Sequence, residues 1–159
     1  MRSWMIYLRH RSRLSQFNCC GYPVRNIDQR AFVLSAAKNL AVAEAAGLDI
    51  MAMCKCCYGS LKKAEDVLSR DQDLKKDINA ILAKEKLHYE GRVRVNHLLT
   101  VLHRDVGLKN LESLISKSYS GLQIAVSYGC HALRPSKVTG FDDPVSPHLF
   151  DELVEITGA

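Results

Sequence analysis

Five of the six cysteines in this chain fall in two short patches, Cys19-Cys20 and Cys54-Lys55-Cys56-Cys57. No other feature restricts the fold or the chemistry as much. Adjacent cysteines cannot bridge each other without strain. Thiols gathered this way therefore suit a metal centre or a redox reaction better than a disulfide framework. Cys54 and Cys57 are spaced to grip one centre. A helix predicted to begin just beyond them, at Gly59 or Ser60, aims backbone N–H groups and the positive end of its dipole at the sulfurs, which favours thiolate. Lys55, Lys62 and Lys63 add positive charge nearby.

Spacing alone leaves four readings open. A thioredoxin-like pair uses Cys54 and Cys57 and leaves Cys19, Cys20 and Cys56 unexplained. A structural zinc ion takes Cys19, Cys20, Cys54 and Cys57 as a tetrahedron, although the diverging Cβ vectors of adjacent cysteines fit one small ion awkwardly. An iron–sulfur cluster holds several irons, so neighbouring cysteines reach different metal atoms. Stray or buried thiols, finally, serve only as small hydrophobes.

The rest of the chain reads as an α/β domain, a mostly parallel sheet flanked by helices, with the cysteine loops at the carboxyl ends of strands. Asn26 or Asp28 caps a helix over about 29–46 that is apolar on nearly every side, which marks it as buried. Gly47 follows as its left-handed stop. Leu48–Met53 fits a buried strand that runs into the cysteine patch. Ser69 or Asp71 caps a second helix with Leu74, Ile78, Ile81 and Leu82 on one face. Val93 and Val95 suggest an edge strand, and helices follow over about 97–106 and 109–116. Leu122–Tyr128 reads as the clearest strand and ends at Gly129-Cys130-His131. The last helix is expected to start with Ser146 as cap and Pro147 at its first position.

Composition excludes other classes. The chain has 159 residues, 47% hydrophobic and 25% charged, so disorder is a poor reading. Its net charge of +5 is spread along helical faces, and aromatic residues at 7% interleave with no basic stripe, which gives nucleic-acid binding little support. Residues 1–13 are basic around Trp4–Leu8 but lack the core and cleavage site of a signal peptide. They are expected to be a short strand or an atypical start. No apolar run is long enough to cross a membrane, so the chain reads as soluble and cytoplasmic.

Four segments carry a resemblance: Cys19-Cys20-Gly21-Tyr22-Pro23; Cys54 to Lys62 (CKCCYGSLK); Tyr128 to Ser136 (YGCHALRPS); and Gly140-Phe141-Asp142-Asp143-Pro144. In this order, with 33 residues between the CC pair and the CxxC, the chain from about Phe17 to Ala159 resembles the B-subunit of CoB–CoM heterodisulfide reductase, a family built from two cysteine-rich CCG domains. The resemblance implies a first CCG domain over 1–120 and the beginning of a second over 121–159. It implies a noncubane 4Fe–4S cluster at Cys19, Cys20, Cys54 and Cys57, with zinc as the alternative occupant, and Cys130 as the opening ligand of a second cluster. Cys56 falls at a spacer position.

The implied reaction is reduction of a disulfide, CoM-S-S-CoB or a similar one, with electrons from partner iron–sulfur and flavin subunits. A further CCG subunit, of a succinate, glycolate or lactate oxidoreductase, is the related alternative, and a non-catalytic zinc or apo interaction module the other. The family's early cysteine has no counterpart before Cys19, and its second CC and CxxC have none after Cys130, so the sequence reads as an internal part of a longer subunit. His131 is the candidate catalytic residue, as proton donor to a leaving thiolate, against a loop-shaping role. Arg134 either binds an anionic substrate or ties down the Asp142-Asp143 loop. His97 and His103 are expected at the surface or an interface, and Asp28, Glu44 and Asp49 as caps and surface charges.

Overall fold

The computed structural model describes residues 16–159, so the expectation for residues 1–13 lies outside the described residues. Two compact units result. The first combines the described residues up to Ile50 with Ala64–Arg94, the second Met51–Lys63 with Val95–Ala159.

The first unit is organised on α1 (Gln29–Ala45), which Asp28 caps by accepting the Ala31 N–H at 2.9 Å. Nine α1 residues are buried, among them Phe32, Val33, Leu40 and Val42, as an all-round apolar helix requires. The buried polar exception is Asn39. Its Oδ1 accepts the Asn18 N–H at 2.8 Å and its Nδ2 donates to the Asn18 carbonyl at 3.2 Å, which docks the chain entering Cys19. Gly47 follows α1 at φ +67°, the expected left-handed stop. Of α2 (Lys55–Arg70), Ala64 and Leu68 bury in this unit. Asp71 caps α3 (Gln72–Leu82) by accepting the Leu74 N–H at 2.9 Å, and Ile78 and Leu82 face inward.

Glu44 departs from a surface charge. Its carboxylate accepts N–H bonds from Glu90 (2.8 Å), Gly91 (3.3 Å) and Arg92 (2.9 Å), and its side chain is only 5% exposed. Burial alone would raise the Glu44 pKa. The three N–H groups and the Arg92 guanidinium outweigh it and hold the carboxyl below the ordinary glutamate range.

The sheet is small and parallel, as the α/β reading requires: β1 (Ile50–Ala52) pairs with β2 (Val95–His97), and helices flank it. β1 runs almost directly into α2, which starts at Lys55, four residues earlier than the sequence suggested. In the second unit β2 leads into α4 (Leu98–Thr100), a π-helical stretch over Val101–Gly107 and α5 (Leu108–Glu112). The single helix expected over 97–106 is thus interrupted by wider turns. Three short helices follow: α6 (Cys130–Leu133), α7 (Ser136–Thr139) and α8 (Leu149–Glu155).

Two expectations fail in this unit. Leu122–Tyr128 is not a strand, because no neighbouring strand hydrogen-bonds to it among the described residues. It is held at its ends instead. The Tyr119 N–H donates to the Thr157 carbonyl at 2.8 Å, and the Tyr128 hydroxyl donates to Asp151 Oδ2 at 2.7 Å while accepting the Phe150 N–H at 2.8 Å. The cap of α8 is also not Ser146. Asp142 Oδ2 accepts the N–H groups of His148 (2.9 Å) and Leu149 (2.8 Å), reaching the helix start from six residues upstream.

Candidate cysteine site

Because β1 and β2 are parallel, their carboxyl ends share one edge, where open α/β sheets place their ligands. Cys54 leaves that edge two residues after β1 and sits just before the first residue of α2. Its carbonyl accepts the Tyr58 N–H at 2.9 Å, closing the first turn. The Cys54 sulfur stands where a Ser or Asp oxygen commonly caps a helix. Its pKa is lowered chiefly by the Cys57 N–H; burial opposes this, and the Cys56 N–H and the thiols of Cys57 and Cys56 lower it further. Cys54 is exposed, and Cys56 and Cys57 are half-buried in the turn.

The turn at Gly129-Cys130-His131 packs directly on this helix start. A Cβ on Gly59 would collide with the His131 carbonyl oxygen, and a Cβ on Gly129 with the aliphatic chain of Lys55. Two glycines therefore permit the close approach. Below them the Tyr58 hydroxyl donates to the Thr139 carbonyl at 2.5 Å, and the Tyr58, His97 and Phe141 rings meet edge to face with centroids 5.2–6.0 Å apart. The family resemblance implies a centre for Cys130 separate from that of Cys54 and Cys57. The structure brings the main chain of both motifs together, with Cys130 exposed at the first residue of α6.

Cys19 and Cys20 belong to the first unit. The Cys19 carbonyl accepts the Ser35 hydroxyl at 2.7 Å, its thiol is exposed, and Cys20 is buried at 8%. Among the described residues, no three His, Cys, Asp or Glu side chains are gathered into a ready metal-ion site. The donors nonetheless suit a thiophilic centre, since Cys54 combines an exposed sulfur, helix N–H groups and a lowered pKa.

Arg134 donates to the Pro144 carbonyl at 2.9 Å, which agrees with its loop-binding role. His103 is bonded to Glu152 at 2.6 Å. The largest departure concerns His97, expected at the surface or an interface and found 6% exposed at the end of β2. Its position directly before Leu98-Leu99, where it caps a helix, was the signal that sequence reasoning missed.

No protein-family model matches the chain. Curated proteins do. It is 35% identical over 144 residues to the B-subunit of the ferredoxin/F420H2-dependent CoB–CoM heterodisulfide reductase of Methanosarcina acetivorans, an alignment covering 89% of this chain and 48% of that protein. It is 38% identical over 136 residues to a heterodisulfide reductase B-subunit-like protein of Archaeoglobus profundus, covering 84% and 46% respectively. It is also 38% identical over 144 residues to the 8-methylmenaquinol:fumarate reductase membrane anchor subunit of Wolinella succinogenes, covering 90% and 49%. The chain spans about half the length of the curated relatives it matches, and no helix among its described residues is long and apolar enough to cross a membrane. Over that half, the chain belongs to the B-subunit family of CoB–CoM heterodisulfide reductases.

Proposed function

We propose that this chain is the cysteine-bearing part of a redox subunit acting in reductive cleavage of a disulfide, CoM-S-S-CoB or a similar one. Two electrons and two protons convert such a disulfide into two thiols. Cys19, Cys20, Cys54 and Cys57 are the proposed ligands of an iron–sulfur cluster of the noncubane 4Fe–4S type, with Cys130 opening a second set across the boundary near residue 120. When bound, the cluster supplies the electron transfer. The chain's own residues supply the rest: N–H groups of α2 stabilise thiolate at Cys54, and Lys55 and the helix start favour anionic sulfur. His131, whose main chain is seated on Gly59, delivers a proton to a departing thiolate. Iron–sulfur and flavin subunits are the proposed electron-donating partners, and the cytoplasm the proposed location.

The observation that carries this reading is Cys54 itself, an exposed sulfur held by helix N–H groups at the carboxyl edge of the sheet and packed beside the Cys130 turn. Anaerobic purification followed by iron, sulfide and zinc analysis with EPR tests it. Iron and sulfide with a paramagnetic signal on oxidation are expected. Zinc alone, near one equivalent and without an iron signal, would overturn it in favour of a structural zinc module.

A second reading is favoured by the Wolinella succinogenes relative, named as a subunit of a fumarate reductase. On that reading the cysteine site relays electrons within another oxidoreductase and meets no disulfide. Cluster reoxidation by added disulfide separates the two.

A further inference from the structure

His97 is held from four directions. Its Nδ1 accepts the Leu99 N–H at 3.2 Å, capping α4. Its ring meets Tyr58 and Phe141 edge to face, and the Met53 carbonyl lies close enough to favour the protonated ring. Burial, the larger influence, pushes the His97 pKa down and so favours the neutral ring. An Nδ1 that accepts a hydrogen bond carries no proton, which puts the proton on Nε2. That Nε2–H is buried and makes no hydrogen bond of good geometry, although the Met53 carbonyl lies within its reach. Such an orphan donor needs a physical explanation.

The positions of its neighbours supply one. Met53 immediately precedes Cys54, and Tyr58 immediately follows Cys57. A single buried ring thus touches both flanks of the Cys54–Cys57 turn from the end of the adjacent strand. We propose that His97 is a positioning residue for this cysteine pair: it clamps the turn to the sheet edge, and its free Nε2–H is taken up by the Met53 carbonyl when both thiols close on one thiophilic centre. This extends the functional reading above, since it says how the pair is set to the right spread. It requires only that Cys54 and Cys57 share a centre, whatever that centre is.

The test therefore uses no iron. Phenylarsine oxide bridges two suitably spaced thiols, and peptide mapping identifies a bridge at Cys54 and Cys57 in the full chain. His97→Gln keeps a donor at the place of Nε2 and gives up the cap at Nδ1. His97→Asn keeps the cap and removes the donor. The wild-type chain and His97→Gln are expected to bridge within about threefold of each other, and His97→Asn about tenfold more weakly, as the loss of one hydrogen bond predicts. Alkylation of Cys54 alone by iodoacetamide should stay within about twofold in all three. Equal bridging by His97→Asn and wild type overturns the proposal. So does weak bridging by His97→Gln with full bridging by His97→Asn, which would leave only the helix-capping role. Absence of any Cys54–Cys57 bridge in the wild type overturns it too. Failure of the cluster reading, seen as zinc without iron, leaves these outcomes unchanged.

Discussion

Several residues carry more than their type suggests, and the glycines show it by contrast. Gly47 has open space around its Cα, so alanine there meets only the strain of φ +67°, about 1 kcal/mol. Gly59 has an ordinary backbone but faces the His131 carbonyl, an atom that cannot move without its chain. Gly59→Ala is expected to destabilise by about 1–3 kcal/mol and to increase alkylation of Cys130 as its turn is pushed away, read by thermal melting and mass spectrometry. Glu44 is the second case. Its folded pKa is depressed, so its contribution is complete above the unfolded pKa and is lost as pH falls through the folded one. Glu44→Gln should therefore cost about 1–3 kcal/mol in urea denaturation at pH 7 and flatten the loss of stability below about pH 4. Neither role was visible in the sequence. Both depend on what arrives from far along the chain, 72 residues away for His131 and 46 to 48 for the Glu44 loop.

At the scale of elements, local chemistry was a reliable guide wherever it closed within a few residues. Asp28 and Asp71 cap the helices they precede, and the apolar face of α1 is buried as its pattern demands. It misled where an element needs a partner. Leu122–Tyr128 has the alternation and β-branched residues of a strand, but pattern gives only a preference, and a ladder needs a neighbour. The amides of Gln123–Ser127 should consequently exchange with solvent faster than those of β1 and β2, measured by hydrogen exchange. The start of α8 shows a similar limit, since Ser146 offered itself locally while Asp142 won by reaching two N–H groups at once. Asp142→Ala is expected to cost about 1–2 kcal/mol, and Ser146→Ala far less, compared by thermal melting.

On the scale of the whole molecule, the cysteine motifs were readable because their order and spacing are rare, and the α/β class because strands and helices alternate. The division into units was not, since both are assembled from discontinuous stretches. Stability in the first unit rests on apolar residues without solvent exposure, such as Phe32, Leu40 and Leu68. Leu40→Ala should cost about 2–5 kcal/mol, whereas Ile27→Ala, at a position 86% exposed, should stay within about 0.5 kcal/mol. Around residues 118–130 the opposite logic holds. Residues 118–130 contain no charged residue and no proline, and Tyr119, Leu122 and Ile124 are about half exposed. An exposed, uncharged stretch of β-forming residues without proline invites stacking into cross-β assemblies. That stretch, rather than the core, is therefore expected to limit the colloidal lifetime of this protein. A single Ile124→Lys gatekeeper should lengthen it, seen as slower growth of light scattering in concentrated solution.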